Sequence, residues 1–137
     1  MSQLSSYKSK QMIVMRRDLR MRKGKIAAQA GHACVEATLA ALVREGRLDQ
    51  VRATDDGWVY LDDAGSEAGV AKVCVYVDSE EDLLDVAAQA REKGFVYSLI
   101  RDAGLTEFHG EPTYTCLAIE PLPADVIDPI TGSLPPY

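Results

Sequence analysis

The chain has 137 residues, 47% of them hydrophobic and 26% charged, with 15 Lys+Arg against 21 Asp+Glu and a formal net charge of -6. Those figures fit one compact domain with a core of its own and exclude a disordered tail. The acidic average argues against a polyanionic partner, yet it is unevenly spread: residues 1–31 hold eight basic side chains and one acid (Asp18), a local +7, while the other 106 hold seven basic and twenty acidic, a local -13.

Residues 1–10 are rich in Ser and Lys and read as a flexible arm ahead of a domain over 11–137. Met12-Ile13-Val14-Met15 is predicted as a short buried strand. A basic loop, Arg16 to Lys23, follows and closes on Gly24. From Lys25 to Glu45, Ile26, Ala30, Ala33, Cys34, Ala37 and Ala41 recur at three- and four-residue steps, the period of one buried helical face. Gly46 is placed to stop that helix.

Residues 47–70 are the least legible, with a turn at Asp55-Asp56-Gly57, a short strand at Trp58 to Leu61 and an acidic loop to Gly69. Val73, Val75 and Val77 alternate with Cys74 and Tyr76 as a strand should. Ser79-Glu80-Glu81-Asp82 then opens a helix, with a capping hydroxyl and acids suited to the positive end of the helix dipole. That helix runs to Lys93, and Leu83, Val86, Ala87 and Ala90 face inward. Strands are predicted at Phe95 to Ile100 and Tyr114 to Ile119, and a short helix at Ala124 to Asp128. The expected fold is therefore α/β: a single domain with a mixed, mostly parallel four-stranded sheet and helices on its faces.

No stretch reaches the roughly 20 uninterrupted apolar residues of a membrane span, and the N-terminus lacks the apolar segment of a secretory signal. A soluble, cytoplasmic protein with no membrane partner is expected. Cys34, Cys74 and Cys116 are far apart within apolar runs and read as buried thiols. Two histidines without ligand spacing, His32 and His109, predict no metal site.

Two segments stand out as chemistry. On the first helix Lys25, Gln29, His32 and Glu36 share one stripe, which begins at a helix N-terminus, where free amides and a partial positive charge suit an anion. Arg16, Arg17, Arg20, Arg22, Lys23 and Lys25 crowd into ten positions, a density that points to a polyanion. The second segment, Arg101 to Thr106, follows a predicted strand, where ligand crevices of open α/β sheets lie. Asp102 there has the chemistry to orient a hydroxyl or a lysine, and Asp-Ala-Gly is equally good turn chemistry. Thr113 and Thr115 point to one side of their strand.

The run RRDLRMRKGKIAAQAGHA (Arg16 to Ala33), with SEEDL (Ser79 to Leu83), IRDAGLTEF (Ile100 to Phe108) and TCLAIEP (Thr115 to Pro121), resembles the peptidyl-tRNA hydrolases of the second, archaeal and eukaryotic, type over most of Met12 to Gly132. The resemblance implies a homodimeric α/β domain that hydrolyses the ester joining a peptide to the 3'-terminal ribose of tRNA, recycling tRNA after aborted translation, without metal or organic cofactor. It places Lys25, Asp102, Thr106, Thr115 and His32 in catalysis, with Asp102 and Thr115 positioning water, Lys25 stabilising negative charge, Thr106 holding the substrate and His32 as a second choice of general base. Arg16, Arg17, Arg20, Arg22, Lys23, Gln29 and Thr113 fall to substrate binding. Two departures are visible: the loop His109 to Pro112 is longer than usual, and the acidic stretch 55–69 resembles an insertion. A non-catalytic RNA-binding module and a deacylase of free aminoacyl-tRNA are the competing readings.

Overall fold

The computed structural model describes residues 9–46, 51–54, 57–61, 67–104 and 108–137, with 51–54, 57–61 and 67–69 as backbone only. The chain order is β1 (Ser9–Arg16), α1 (Lys23–Glu45), β2 (Val51–Thr54), β3 (Gly57–Leu61), β4 (Glu67–Val77), α2 (Glu80–Glu92), β5 (Tyr97–Asp102), β6 (Thr113–Ile119) and α3 (Ala124–Thr131). Six strands hydrogen-bond in the order β2-β3-β4-β1-β6-β5. The four longer strands predicted from hydrophobic pattern are contiguous, β4-β1-β6-β5, and the β2-β3 hairpin, whose β3 covers the short strand predicted at Trp58 to Leu61, adds to the first residues of β4.

The expectation of a mostly parallel sheet needs correcting. Only β1 and β4 pair in parallel, while β1-β6, β5-β6, β2-β3 and β3-β4 are antiparallel. β1, β4 and β5 do run the same way, as two strand-helix-strand units require. The last strand, β6, is inserted between β1 and β5 and converts both of its pairings to antiparallel. The arm is also shorter than expected: Ser9 and Lys10 belong to β1, pairing with Val70 and Ala71 and bridging to Leu122, and residues 1–8 lie outside the described set.

Alternation along the strands divides the core. Met12, Val14, Val75, Val77, Leu117 and Ile119 meet Leu83, Val86 and Ala90 of α2 and Ile127 and Ile130 of α3 on one face. Ile13, Met15, Cys116 and Ala118 meet Ala33, Cys34 and Ala37 of α1 on the other. The α1 face is built from alanines and cysteines, so that helix lies close to the sheet. By length and composition α1 is the one described helix apolar enough to cross a membrane, but Ala33 and Ala37 are fully buried in this core.

Both ends of the sheet matter below. The C-terminal tail lies along β4, with Tyr76 N–H donating to the Pro135 carbonyl and Tyr137 N–H to that of Cys74, each at 3.0 Å. On the opposite side β5 is the outermost strand, with β6 its one partner among the described residues. The final helix extends past Pro129 to Thr131, because Ile127 and Ile130 are both buried and Gly132 N–H closes onto the Asp128 carbonyl.

Candidate active site

α1 begins at Lys23, two residues ahead of its predicted start, and carries Lys25 and Gln29 one turn apart over the end of β5. Asp102 is the last residue of β5. Lys25 Nζ donates to Asp102 Oδ1 at 2.6 Å, and Gln29 Nε2 reaches the same oxygen at 3.3 Å. The other oxygen, Oδ2, accepts the Gly104 N–H at 2.8 Å. Turn chemistry and site chemistry thus use the same carboxylate, one oxygen each. The Lys25 ammonium, then the Gly104 N–H and the Gln29 amide, hold the Asp102 carboxyl below the usual carboxylate range against burial, which pushes it up. Both side chains of the pair are largely buried, and the Lys25 ammonium lies 5.9 Å from the centre of the Phe108 ring.

Gly104 holds this loop in shape. Its φ is +83°, and a Cβ would meet the Glu111 backbone, closest to its carbonyl oxygen. The Gly104 carbonyl also accepts the Gly110 N–H at 2.8 Å. Only glycine meets both demands.

Thr115 is placed by an irregularity. Ile100 pairs with Cys116 but Arg101 pairs with Tyr114, so Thr115 is the extra residue of a β-bulge. The consequence is a switch of face: Cys116 and Ala118 pack towards α1 and Leu117 and Ile119 towards α2, whereas beyond the bulge Tyr114 joins the α2 side. Without the extra residue Thr115 would follow Leu117 and Ile119. With it, Thr115 Oγ1 donates to Gln29 Oε1 at 2.6 Å. Bulges beside active sites re-aim side chains in this way.

The other candidate residues are placed as follows. Thr115 is 0% exposed, and its hydroxyl donates to Gln29 and so sets the Gln29 amide. Gln29 is likewise buried, and its Nε2 serves Asp102. Arg16 donates to both carboxylate oxygens of Asp18 and to the Tyr114 carbonyl. Arg17 lies 3.7 Å over the Tyr76 ring and pairs with Asp78 at 3.3 Å. Arg20, Arg22 and Lys23 are exposed just ahead of Lys25. Thr113 sits beside Asp102 in the sheet register, but its hydroxyl bonds the Glu111 carbonyl. His32 is exposed and outside the Lys25–Asp102–Gln29 set. Thr106 lies outside the described residues, as do 55–56 and 62–66 of the acidic stretch.

Behind the site, burial pushes up the Cys34 and Cys74 thiols, and that of Cys116 to about 12. Burial of this kind disfavours the reactive thiolate. Among the described residues no three His, Cys, Asp or Glu side chains gather to hold a metal.

A family model described as peptidyl-tRNA hydrolase PTH2 matches residues 9–137. The chain belongs to that family. A relative from Methanocaldococcus jannaschii named peptidyl-tRNA hydrolase is 43% identical over 126 residues, 91% of this chain and 96% of its own length. Another of that name, from Thermococcus sibiricus, is 38% identical over 128 residues, 93% of this chain and 97% of the relative. A Drosophila melanogaster protein named probable peptidyl-tRNA hydrolase 2 is 39% identical over 125 residues, 91% of this chain and 60% of its own. A solved structure of an Agrobacterium protein of unknown function shares the fold, with a TM-score of 0.57 at 13% identity, covering 96% of this chain and 98% of that one. In this PTH2 member Lys25 and Gln29 both reach Asp102, a geometry that four scattered motifs do not display by themselves.

Proposed function

We propose that this protein hydrolyses peptidyl-tRNA by attack of water on the ester between the peptide and the terminal ribose. The observation that carries the reading is the Lys25–Asp102 pair, 2.6 Å apart at the start of α1 beside an exposed basic loop. Ester hydrolysis needs a held water and a cation or amide set for the tetrahedral oxyanion. Lys25 supplies the positive charge where that oxyanion forms. Asp102, whose carboxyl lies below the usual range, is a weak base at neutral pH. Its role is to fix Lys25 and to accept a hydrogen bond from the attacking water. The bond from the carbonyl carbon to the ribose oxygen breaks, and the proton lost by water ends on that oxygen. Gln29, held by Thr115, keeps Asp102 from turning away.

Arg20, Arg22 and Lys23 meet the phosphates of the tRNA acceptor end, contacts that position without reading sequence. The reading makes the protein a carboxylic ester hydrolase, and the family resemblance adds a homodimer working in the cytoplasm to recycle tRNA from stalled ribosomes. The test is release of free tRNA from N-acetyl-aminoacyl-tRNA and from the same tRNA with a free amine. Hydrolysis of the blocked substrate alone supports the reading; hydrolysis of the free one alone makes the protein a deacylase; tRNA binding with no turnover makes it a binding module.

A further inference from the structure

A groove of about 560 Å³ runs between α1 and the outer strand β5, lined by Gly31, His32, Val35, Glu36 and Leu39 on the helix and by Leu99, Ile100 and Arg101 on the strand. Its near end, at Gly31 and Arg101, is one residue along β5 from Asp102 and two along α1 from Gln29. Its size is that of a ligand pocket. Val35 is 58% and Leu39 47% exposed, an apolar helix face that soluble domains reserve for binding. The rim strand β5 has an outer edge that no described strand covers, whereas the far side of β4 is covered by the C-terminal tail.

We propose that this groove receives the peptide of the substrate, laid extended along the outer edge of β5 with its side chains against Gly31, Val35 and Leu39. The inference rests on the hydrolase reading above. Once the ester carbonyl sits at Lys25, the two halves of the substrate must leave in different directions. The basic residues Arg20, Arg22 and Lys23 lie ahead of Lys25 and suit phosphates, while the groove lies beyond it, with apolar Val35, Leu39, Leu99 and Ile100 and with Glu36 opposing Arg101 in charge, and so lacks the positive excess that a polyanion needs. An open edge with an apolar wall is how sheets capture extended peptides, with main-chain bonds giving affinity that tolerates any sequence. Such tolerance is what an enzyme for unfinished peptides of every sequence requires. From Lys25 to Leu39 the helix rises about 21 Å at 1.5 Å per residue, the span of about six extended residues.

The test compares kcat/KM on tRNA carrying an N-acetylated six-residue apolar peptide with that on N-acetylglycyl-tRNA. The wild-type chain is expected to prefer the hexapeptide, and Val35→Glu and Leu39→Glu to cut that preference about tenfold. Leu39→Gln, milder on the helix, cuts it less. Leu84→Glu, on an exposed apolar position of α2 away from the groove, leaves both substrates unchanged. An equal loss on both substrates overturns the proposal. Conversion by Leu39→Glu of a dimer to a monomer in light scattering, with the preference intact, assigns the face to a second copy instead. A wild-type chain inactive on both substrates removes the hydrolase reading itself.

Discussion

The two long helices of this protein start in opposite ways. α2 opens on Ser79, whose hydroxyl accepts the Asp82 N–H at 3.0 Å, and places Glu80, Glu81 and Asp82 in its first turn. α1 opens on Arg22 with no side-chain cap and no acid in its first turn, and puts Lys23 and Lys25 there instead. A capping side chain contributes about 1 kcal/mol and each first-turn charge of the right sign about 0.3–1 kcal/mol. α2 takes these terms and α1 forgoes them. The negative charge that α1 lacks locally arrives from β5 as Asp102, 77 residues on from Lys25, and in the proposed function from the substrate. A helix start arranged against its own dipole coincides with the site to which the proposed function assigns the chemistry.

The largest effect is expected at that start. Lys25→Ala should lower turnover of peptidyl-tRNA by roughly 100- to 1,000-fold, the usual cost of losing one oxyanion-stabilising group, with the circular dichroism spectrum unchanged; near-full activity removes Lys25 from the mechanism. Next comes Thr115→Val, which leaves the buried Gln29 carbonyl without its donor. Such an orphaned acceptor costs about 1–3 kcal/mol of stability, measured by urea unfolding. Activity should fall through kcat with KM held, because Thr115 acts through Gln29 and not on substrate. An unchanged kcat reduces Thr115 to a packing residue.

Acid tests the same pair. The Asp102 carboxyl is held below its ordinary value of 3.8 in the folded state, so its stabilising contribution is complete above that pH and is lost as pH falls through the lower folded value. Unfolding free energies of the wild type and Asp102→Asn should therefore converge below about pH 3.8 and separate above it; parallel curves across that range contradict the ion pair. Smaller still, Ser79→Ala should cost about 1 kcal/mol and leave hydrolysis untouched. The smallest stability change sharpens the contrast most: Lys23→Glu should stabilise α1 by about 0.3–1 kcal/mol while weakening tRNA binding and flattening its dependence on salt. Tighter binding in that variant would mean that the tRNA does not approach the start of α1.

Much of this was legible in the chain because the relevant forces are local. The alternation of Val73, Val75 and Val77, the three- and four-residue spacing from Ile26 to Ala41 and the cap at Ser79 are each settled within a few residues, and each element is present, with α1 starting two residues earlier and β4 reaching back to Glu67, into the stretch read as loop. The Lys25–Gln29 stripe follows from helical geometry in the same way. The density of arginines was legible, but charge counting along a chain does not show what each guanidinium meets. Arg17 is neutralised by Asp78, 61 residues away, and Arg16 by Asp18 and a carbonyl of β6. The apolar spacing of Val35, Leu39 and Val43 carries the signal of a second helix face, which the inward stripe of alanines overshadowed.

The sequence by itself determined the elements, the α/β class, the family and the residue types of the site, since periodicity, turn chemistry and ordered motifs are properties of short segments. Tertiary structure alone decided which of those residues meet. The insertion of β6 between β1 and β5 set the strand directions, and one extra residue at Thr115 chose the face from which its hydroxyl reaches Gln29. That choice has no local signature, because a one-residue shift in pairing moves every side chain beyond it to the other face of the sheet. The acidic average with which the chain presents itself likewise lost its meaning once Arg16 and Arg17 were found paired and Arg20, Arg22 and Lys23 exposed beside Lys25.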